Sequence, residues 1–114
     1  MALKLSNPRL KKLKTLMIVH FPNNEANIAM FKNPKAVGER LGSTMEKINP
    51  MSAYFGEEDG ERTAWILIDL PSENMIPFYT EPFFTNFSAR VKFRPVMDID
   101  DVRSGLSKVE ERRT

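Results

Sequence analysis

The sequence predicts an α+β domain: a four-stranded antiparallel sheet in ferredoxin-like βαββαβ order, with an extra C-terminal helix. Three observations carry that prediction. Residues 62–70 read Arg-Thr-Ala-Trp-Ile-Leu-Ile-Asp-Leu, an apolar run without polar alternation, which puts apolar side chains on both faces of a strand and demands a cover for each. Asp59 and Gly60, just before that run, are the dipeptide best suited to a tight hairpin with positive φ. Val37, Leu41, Met45 and Ile48 fall on one helical face behind Asn33 and Pro34, a capping residue followed by a proline at the first helical position, where its missing N–H costs nothing.

Taken in order, residues 1–13 form a basic arm. Lys4, Arg9, Lys11, Lys12 and Lys14 all precede the first acidic residue, Glu25, and Pro8 interrupts any continuous helix. A solvated extension is the plain reading of the arm; a strap across a partner subunit and a contact with an anionic polymer are the sharper ones. Leu16, Met17, Ile18 and Val19 make a first strand over residues 14–21, too short for a helix and ended by Pro22. Residues 22–32 are polar and left open, with Ile28, Ala29, Met30 and Phe31 as material for a buried turn. The helix from Asn33 stops at Pro50, and residues 51–57 pair back on the central run through the hairpin.

Beyond Leu70, the set Met75, Ile76, Phe78, Tyr79, Phe83 and Phe84 is cut by Pro77 and Pro82 and predicts a short, irregular helix. Pro77 makes a start at Ser72 or near Asn74 equally compatible with the pattern. Residues 89–97 alternate as an outer strand does, with Pro95 suited to an edge. Ile99, Val102, Leu106 and Val109 fall near helical spacing behind the capping candidates Asp98 and Asp100, and Gly105 weakens that helix by up to about 1 kcal/mol relative to alanine. The domain therefore covers residues 14–98 and the helical extension residues 99–114.

In this order the strands sit four, one, three, two, and every neighbour is antiparallel. Helices cover one face. The other carries either Met17 and Val19 or Leu16 and Ile18, an apolar patch that a second copy of the chain covers at least cost, so a homodimer through the sheet face is expected. Loss of dimerisation in Val19→Asp is the expected test of that packing.

A chain of 114 residues suits one domain with a modest core. Its 41% hydrophobic and 28% charged residues are ordinary for a globular protein, and no apolar run approaches membrane-spanning length. A net charge of +2 disfavours polyanion binding by the domain as a whole. With no cysteine there is no disulfide, thiolate nucleophile or sulfur-based zinc site. The N-terminus lacks the apolar core of a secretory signal, which sets the cytoplasm as the expected location.

Three short motifs resemble a known group: Ile18-Val19-His20-Phe21-Pro22, Arg62-Thr63-Ala64-Trp65 and Arg94-Pro95-Val96-Met97-Asp98. Together, over residues 14–98, they look like the small bacterial dimeric α/β-barrel proteins of unknown function. The resemblance implies a homodimer and a superfamily that includes cofactor-independent monooxygenases, muconolactone isomerases, haem-degrading enzymes and ligand-sensing domains. Fold alone does not choose among them. Haem degradation in that superfamily uses a histidine from the second helix region, and residues 72–85 contain none.

His20, the single histidine, is the candidate catalytic residue. Antiparallel pairing puts it beside Thr63 rather than Asp69, and puts Asp69 beside Lys14, where an exposed ion pair would contribute little. Tyr54, Trp65, Arg90 and Lys92 are the candidate ligand-binding residues. The aromatic pair supplies apolar walls and a cation offsets developing oxyanion charge, so the expected ligand is a small, partly apolar organic molecule held between sheet and helices. Against this stand plainer readings: Trp65 as core and the basic residues as a guarded edge. A one-residue slip in register would move every one of these side chains to the opposite face.

No metal and no cofactor is expected. Glu57, Glu58, Asp59 and Glu61 read as a solvated hairpin tip, and Asp98, Asp100 and Asp101 as helix capping. RNA-recognition domains share the element order, but strand one offers Met17 and Ile18 where stacking aromatics are needed, so nucleic acid is disfavoured as a partner. The remaining alternative to a ligand-binding enzyme is a noncatalytic interaction or sensing module.

Overall fold

The computed structural model describes residues 13–113. The expected basic arm lies outside them apart from Leu13, which already belongs to the first strand. Strands β1 (Leu13–Phe21), β2 (Ser52–Glu58), β3 (Glu61–Leu70) and β4 (Arg90–Pro95) form one antiparallel sheet in the order β2-β3-β1-β4. That is the ferredoxin-like order the sequence predicts, with β3 and β1 central and Pro95 on an edge strand. Asp59 and Gly60 both have positive φ, 55° and 81°, in the turn between β2 and β3.

Helices α1 (Glu25–Phe31) and α2 (Pro34–Ile48) connect β1 to β2, and a 3-10 turn (Glu73–Met75) and α3 (Ile76–Phe87) connect β3 to β4. Pro77 is tolerated because it falls in the first turn of α3, while Pro82 lies inside that helix. Asn33 caps α2 by accepting from the Ala36 N–H, and Asn49 ends it in the left-handed conformation. Residues 22–32 are more ordered than a buried turn. Asn24 caps α1 through the Asn27 N–H, and Ile28 and Ala29 point outward.

The core lies between the helices and one sheet face. Met17, Val19 and Phe21 of β1 and Ala64, Ile66 and Ile68 of β3 are buried against Phe83 and Phe87 of α3. Phe21 meets Phe87 edge to face, with centroids 5.0 Å apart. Met17 and Val19 are thus the helix-facing set. Leu16 and Ile18 belong to the open face, which makes Ile18, not Val19, the position that tests sheet packing.

Helix α4 (Ile99–Arg113) stands apart, making only sparse contact with the rest of the fold, and none of its residues is buried. Its start is fixed all the same. Asp101 N–H donates to Asp98 Oδ1 at 2.8 Å and Asp98 N–H donates to Asp101 Oδ2 at 3.1 Å, a reciprocal cap. Asp100, the other capping candidate, instead approaches Arg103 at 3.6 Å. Among the described residues, no helix is long and apolar enough to cross a membrane.

Candidate functional site

Cross-strand register decides where each candidate sits. His20 pairs with Thr63 and Arg90, and Tyr54, Trp65, Ile18 and Lys92 form the next row, two residues along. All five candidates, His20, Tyr54, Trp65, Arg90 and Lys92, therefore share one sheet face. It is the open face. The expectation that they line a pocket between sheet and helices is corrected by the pleat: residues alternating with the core set Met17, Val19, Ala64 and Ile66 must point away from the helices.

At one end of that face, His20 is 6% exposed. Its Nδ1 lies 3.3 Å from Thr63 Oγ1, and its Nε2 lies 3.5 Å from Glu58 Oε1. Thr63 Oγ1 also donates to the Glu61 carbonyl at 3.0 Å. When that donation is made, the ring must donate from Nδ1 to the hydroxyl, and only a doubly protonated ring can donate to Glu58 as well. Glu61 approaches Nδ1 at 4.0 Å and takes Arg90 Nη2 at 2.7 Å. The Arg90 guanidinium holds the Glu61 carboxyl below its usual range, and Glu61 in turn raises Arg90.

Glu58 and Glu61 were expected to be solvated hairpin-tip residues. Their place beside His20 follows from register: Glu58 pairs with Glu61 two residues beyond the Gly56–Thr63 pair, and Thr63 pairs with His20, so the pleat puts all of them on one face. Arg90, a candidate ligand-binding cation, is engaged by Glu61. Lys92 is exposed and has no ion-pair partner among the described residues. Tyr54 is 68% exposed. Trp65 lies over Gly56, where an added Cβ would meet the indole Cζ3 at 3.0 Å, so the glycine makes room for the ring.

At the opposite end of the face, Lys14 does pair with Asp69 in register. Its ammonium, however, reaches Asp98 at 3.1 Å and Asp101 at 3.8 Å, so the expected Lys14–Asp69 ion pair is replaced by one that ties β1 to the start of α4. Asp69 acts on Lys14 only through its weaker charge.

The space between sheet and helices does contain a cleft, built from other residues. A cavity of about 350 Å³ is bordered by Phe21, Phe31, Leu41, Phe55, Gly56, Arg62 and Thr63, within the range of small-molecule sites. Phe55 and Arg62 project to the helix side because they alternate with Tyr54 and Thr63 in the paired strands. Arg62 stacks on Phe31, its guanidinium carbon 4.0 Å from the ring centroid, and donates to Asn23 Oδ1 at 3.2 Å. Among the described residues, no carboxylate lies within ion-pair distance of it. Sequence reasoning missed this cleft, although the hairpin register alone places Phe55 and Arg62 on one face.

A larger groove of about 970 Å³ runs along the outer surface between α2 and α3, past Arg40, Thr44, Phe78 and Pro82. Neither His20 nor Arg62 is among the residues that line it. Among the described residues, no group of three or more acidic or histidine side chains is arranged to hold a metal ion.

No family model and no curated protein matches the chain. Among solved structures it is similar to the de novo designed protein Ferredog-Diesel, with a TM-score of 0.43 and 14% identity over 82% of this chain and 93% of that one.

Proposed function

We propose that this chain is a homodimeric domain that captures a small, partly apolar organic molecule in the cleft between β2, β3 and helices α1 and α2. The observation that carries the reading is the cleft itself: phenyl rings and a leucine form its walls, and one cation stands at its edge. That is the usual composition of a small-molecule site, apolar lining with few placed polar groups.

Dimerisation accounts for the surfaces the fold leaves bare. Leu16, Ile18, Trp65 and Leu67 are half-buried on a sheet face that no helix covers, and Ile99, Leu106 and Val109 are exposed along one stripe of α4. A two-fold contact through the open face offers cover to both copies at once, and a standard interface of about 800 Å² per partner suffices.

Two forms of this function differ in chemistry. In the enzymatic form, oxygenation or isomerisation without a bound cofactor, His20 acts through Thr63, which borders the cleft and meets the ring at 3.3 Å. In the noncatalytic form, a sensing or interaction module, the cleft alone is used. Native mass spectrometry of freshly purified protein tests the reading by reporting dimer mass and retained ligand together. A dimer carrying a small molecule is expected. A change in that molecule's mass on incubation in air selects oxygenation, a shifted chromatographic retention at unchanged mass that His20→Gln abolishes selects isomerisation, and a molecule unchanged in both mass and retention, held alike by wild type and His20→Gln, selects sensing. A monomer at micromolar concentration overturns the dimer, and an empty cleft after incubation with a cell extract overturns the ligand.

A further inference from the structure

We infer that the cleft selects a monoanion with an aromatic or short aliphatic body, a monocarboxylate being the simplest case, and that Arg62 is its counter-charge. The inference rests on the cleft being a ligand site and adds the ligand's charge and shape.

Arg62 is the sole charged residue bordering the cleft. The cations Arg90, Lys14 and Arg103 are each engaged by a carboxylate, Glu61, Asp98 and Asp100 respectively, and none of the three borders the cleft. Arg62 touches neutral groups, the face of Phe31 and the amide oxygen of Asn23, while the carboxylate of its cross-strand neighbour Glu57 accepts from the Gly60 N–H. Stacking fixes the plane of the guanidinium and uses its face, which leaves N–H groups at its edge for an incoming oxygen pair. A planar guanidinium matches a carboxylate through two parallel hydrogen bonds, and a fork whose plane is already set loses less entropy on binding.

The rest of the lining sets the ligand's body. Phe21, Phe31, Leu41 and Phe55 present no polar side-chain atom, and the Thr63 hydroxyl is already engaged with His20 and the Glu61 carbonyl, so a second charged group on the ligand would be desolvated without a partner. With no lysine or second arginine among the bordering residues, the lining suits one negative charge. Phe55, 52% exposed on the edge strand β2, is an aromatic left uncovered at the mouth, where a flat apolar ligand would bury it.

Benzoate and its neutral isostere benzamide are the probes, at constant ionic strength, with the full chain. Trp65, the single tryptophan, reports through Gly56, which borders the cleft and carries the indole on its other side; calorimetry supplies an independent readout. Saturable benzoate binding is expected, at least tenfold tighter than benzamide. Arg62→Gln should weaken benzoate at least tenfold and leave benzamide unchanged, and Arg62→Lys should recover part of the loss. Both Arg62 and Phe55 are exposed, so circular dichroism of the variants should match the parent chain. Equal affinity for the two probes, or an unchanged benzoate affinity in Arg62→Gln, overturns the charge assignment. In that event benzamide binding abolished by Phe55→Ala would still support the cleft as a ligand site, whereas no binding of either probe overturns both.

Discussion

Asn27 and Phe87, sixty positions apart in the chain, are joined by a buried hydrogen bond in which Asn27 Nδ2 donates to the Phe87 carbonyl at 2.8 Å. The same amide donates to the Pro22 carbonyl at 2.8 Å. One side chain, 2% exposed, thus satisfies carbonyls at the end of β1 and at the end of α3 and holds the short α1 against both. Asn27→Ala removes a donor from two acceptors, and leaving a buried acceptor unsatisfied costs about 1–3 kcal/mol. Chemical denaturation should show a loss of about 2–3 kcal/mol. Because α1 carries Phe31, benzoate binding should weaken in the same variant.

Ile18 and Val19 are adjacent residues with opposite roles. Val19 is fully buried against the helices, and Ile18 points from the uncovered face. Val19→Asp puts an unpaired charge in the core and should unfold the domain, as read by circular dichroism. Ile18→Asp should leave the spectrum intact and convert the dimer to a monomer in light scattering. A dimer that survives Ile18→Asp excludes the open face as the contact.

Gly38 and Gly42 lie inside α2, and a Cβ added at either meets nothing within 4 Å. Glycine inside a helix is less favourable than alanine by roughly 0.5–1 kcal/mol. Each Gly→Ala change should therefore stabilise by about that amount, and the two should add to within a few tenths of a kcal/mol if the unfolded chain's freedom is the cause.

Asp98 links α4 to the sheet, and its carboxyl is held below the ordinary range first by the Asp101 backbone N–H and then by Lys14. A carboxyl depressed in the folded state contributes stability above its unfolded value and loses it as pH falls through the folded value. The first turn of α4 should accordingly stay capped at neutral pH and fray on acidification below the ordinary aspartate range, about pH 4. Hydrogen exchange at the Asp101 amide reads this directly. Asp98→Asn should blunt the acid dependence, since an amide side chain still accepts the cap bond but does not titrate.

Much of the architecture was legible in the residues because local chemistry and cross-strand pairing acted in the same direction. The uninterrupted run at 62–70, the Asp59-Gly60 turn and the Asn33-Pro34 helix start each specify an element, and antiparallel pairing then puts His20 beside Thr63. Helix α1 was not legible. It has seven residues, and its position depends on hydrogen bonds from Asn27 to carbonyls that only the folded chain brings near. Lys14 shows the same limit on a smaller scale, because a long flexible side chain facing Asp69 can equally reach Asp98, and the start of α4 supplies two carboxylates there.

Apart from α1, the sequence by itself determined the element order, the sheet order and the cross-strand neighbours, since each depends on spacing of two or about 3.6 residues and on turn residues with restricted φ. Only the tertiary structure decided which face of the sheet the helices cover. Both alternating sets of β1 are apolar, so period alone cannot rank them, and the choice falls to the fit of Met17, Val19 and Phe21 against Phe83 and Phe87. That choice puts His20, Tyr54 and Trp65 on the open side and assembles the cleft from Phe31, Phe55 and Arg62, residues of three different elements.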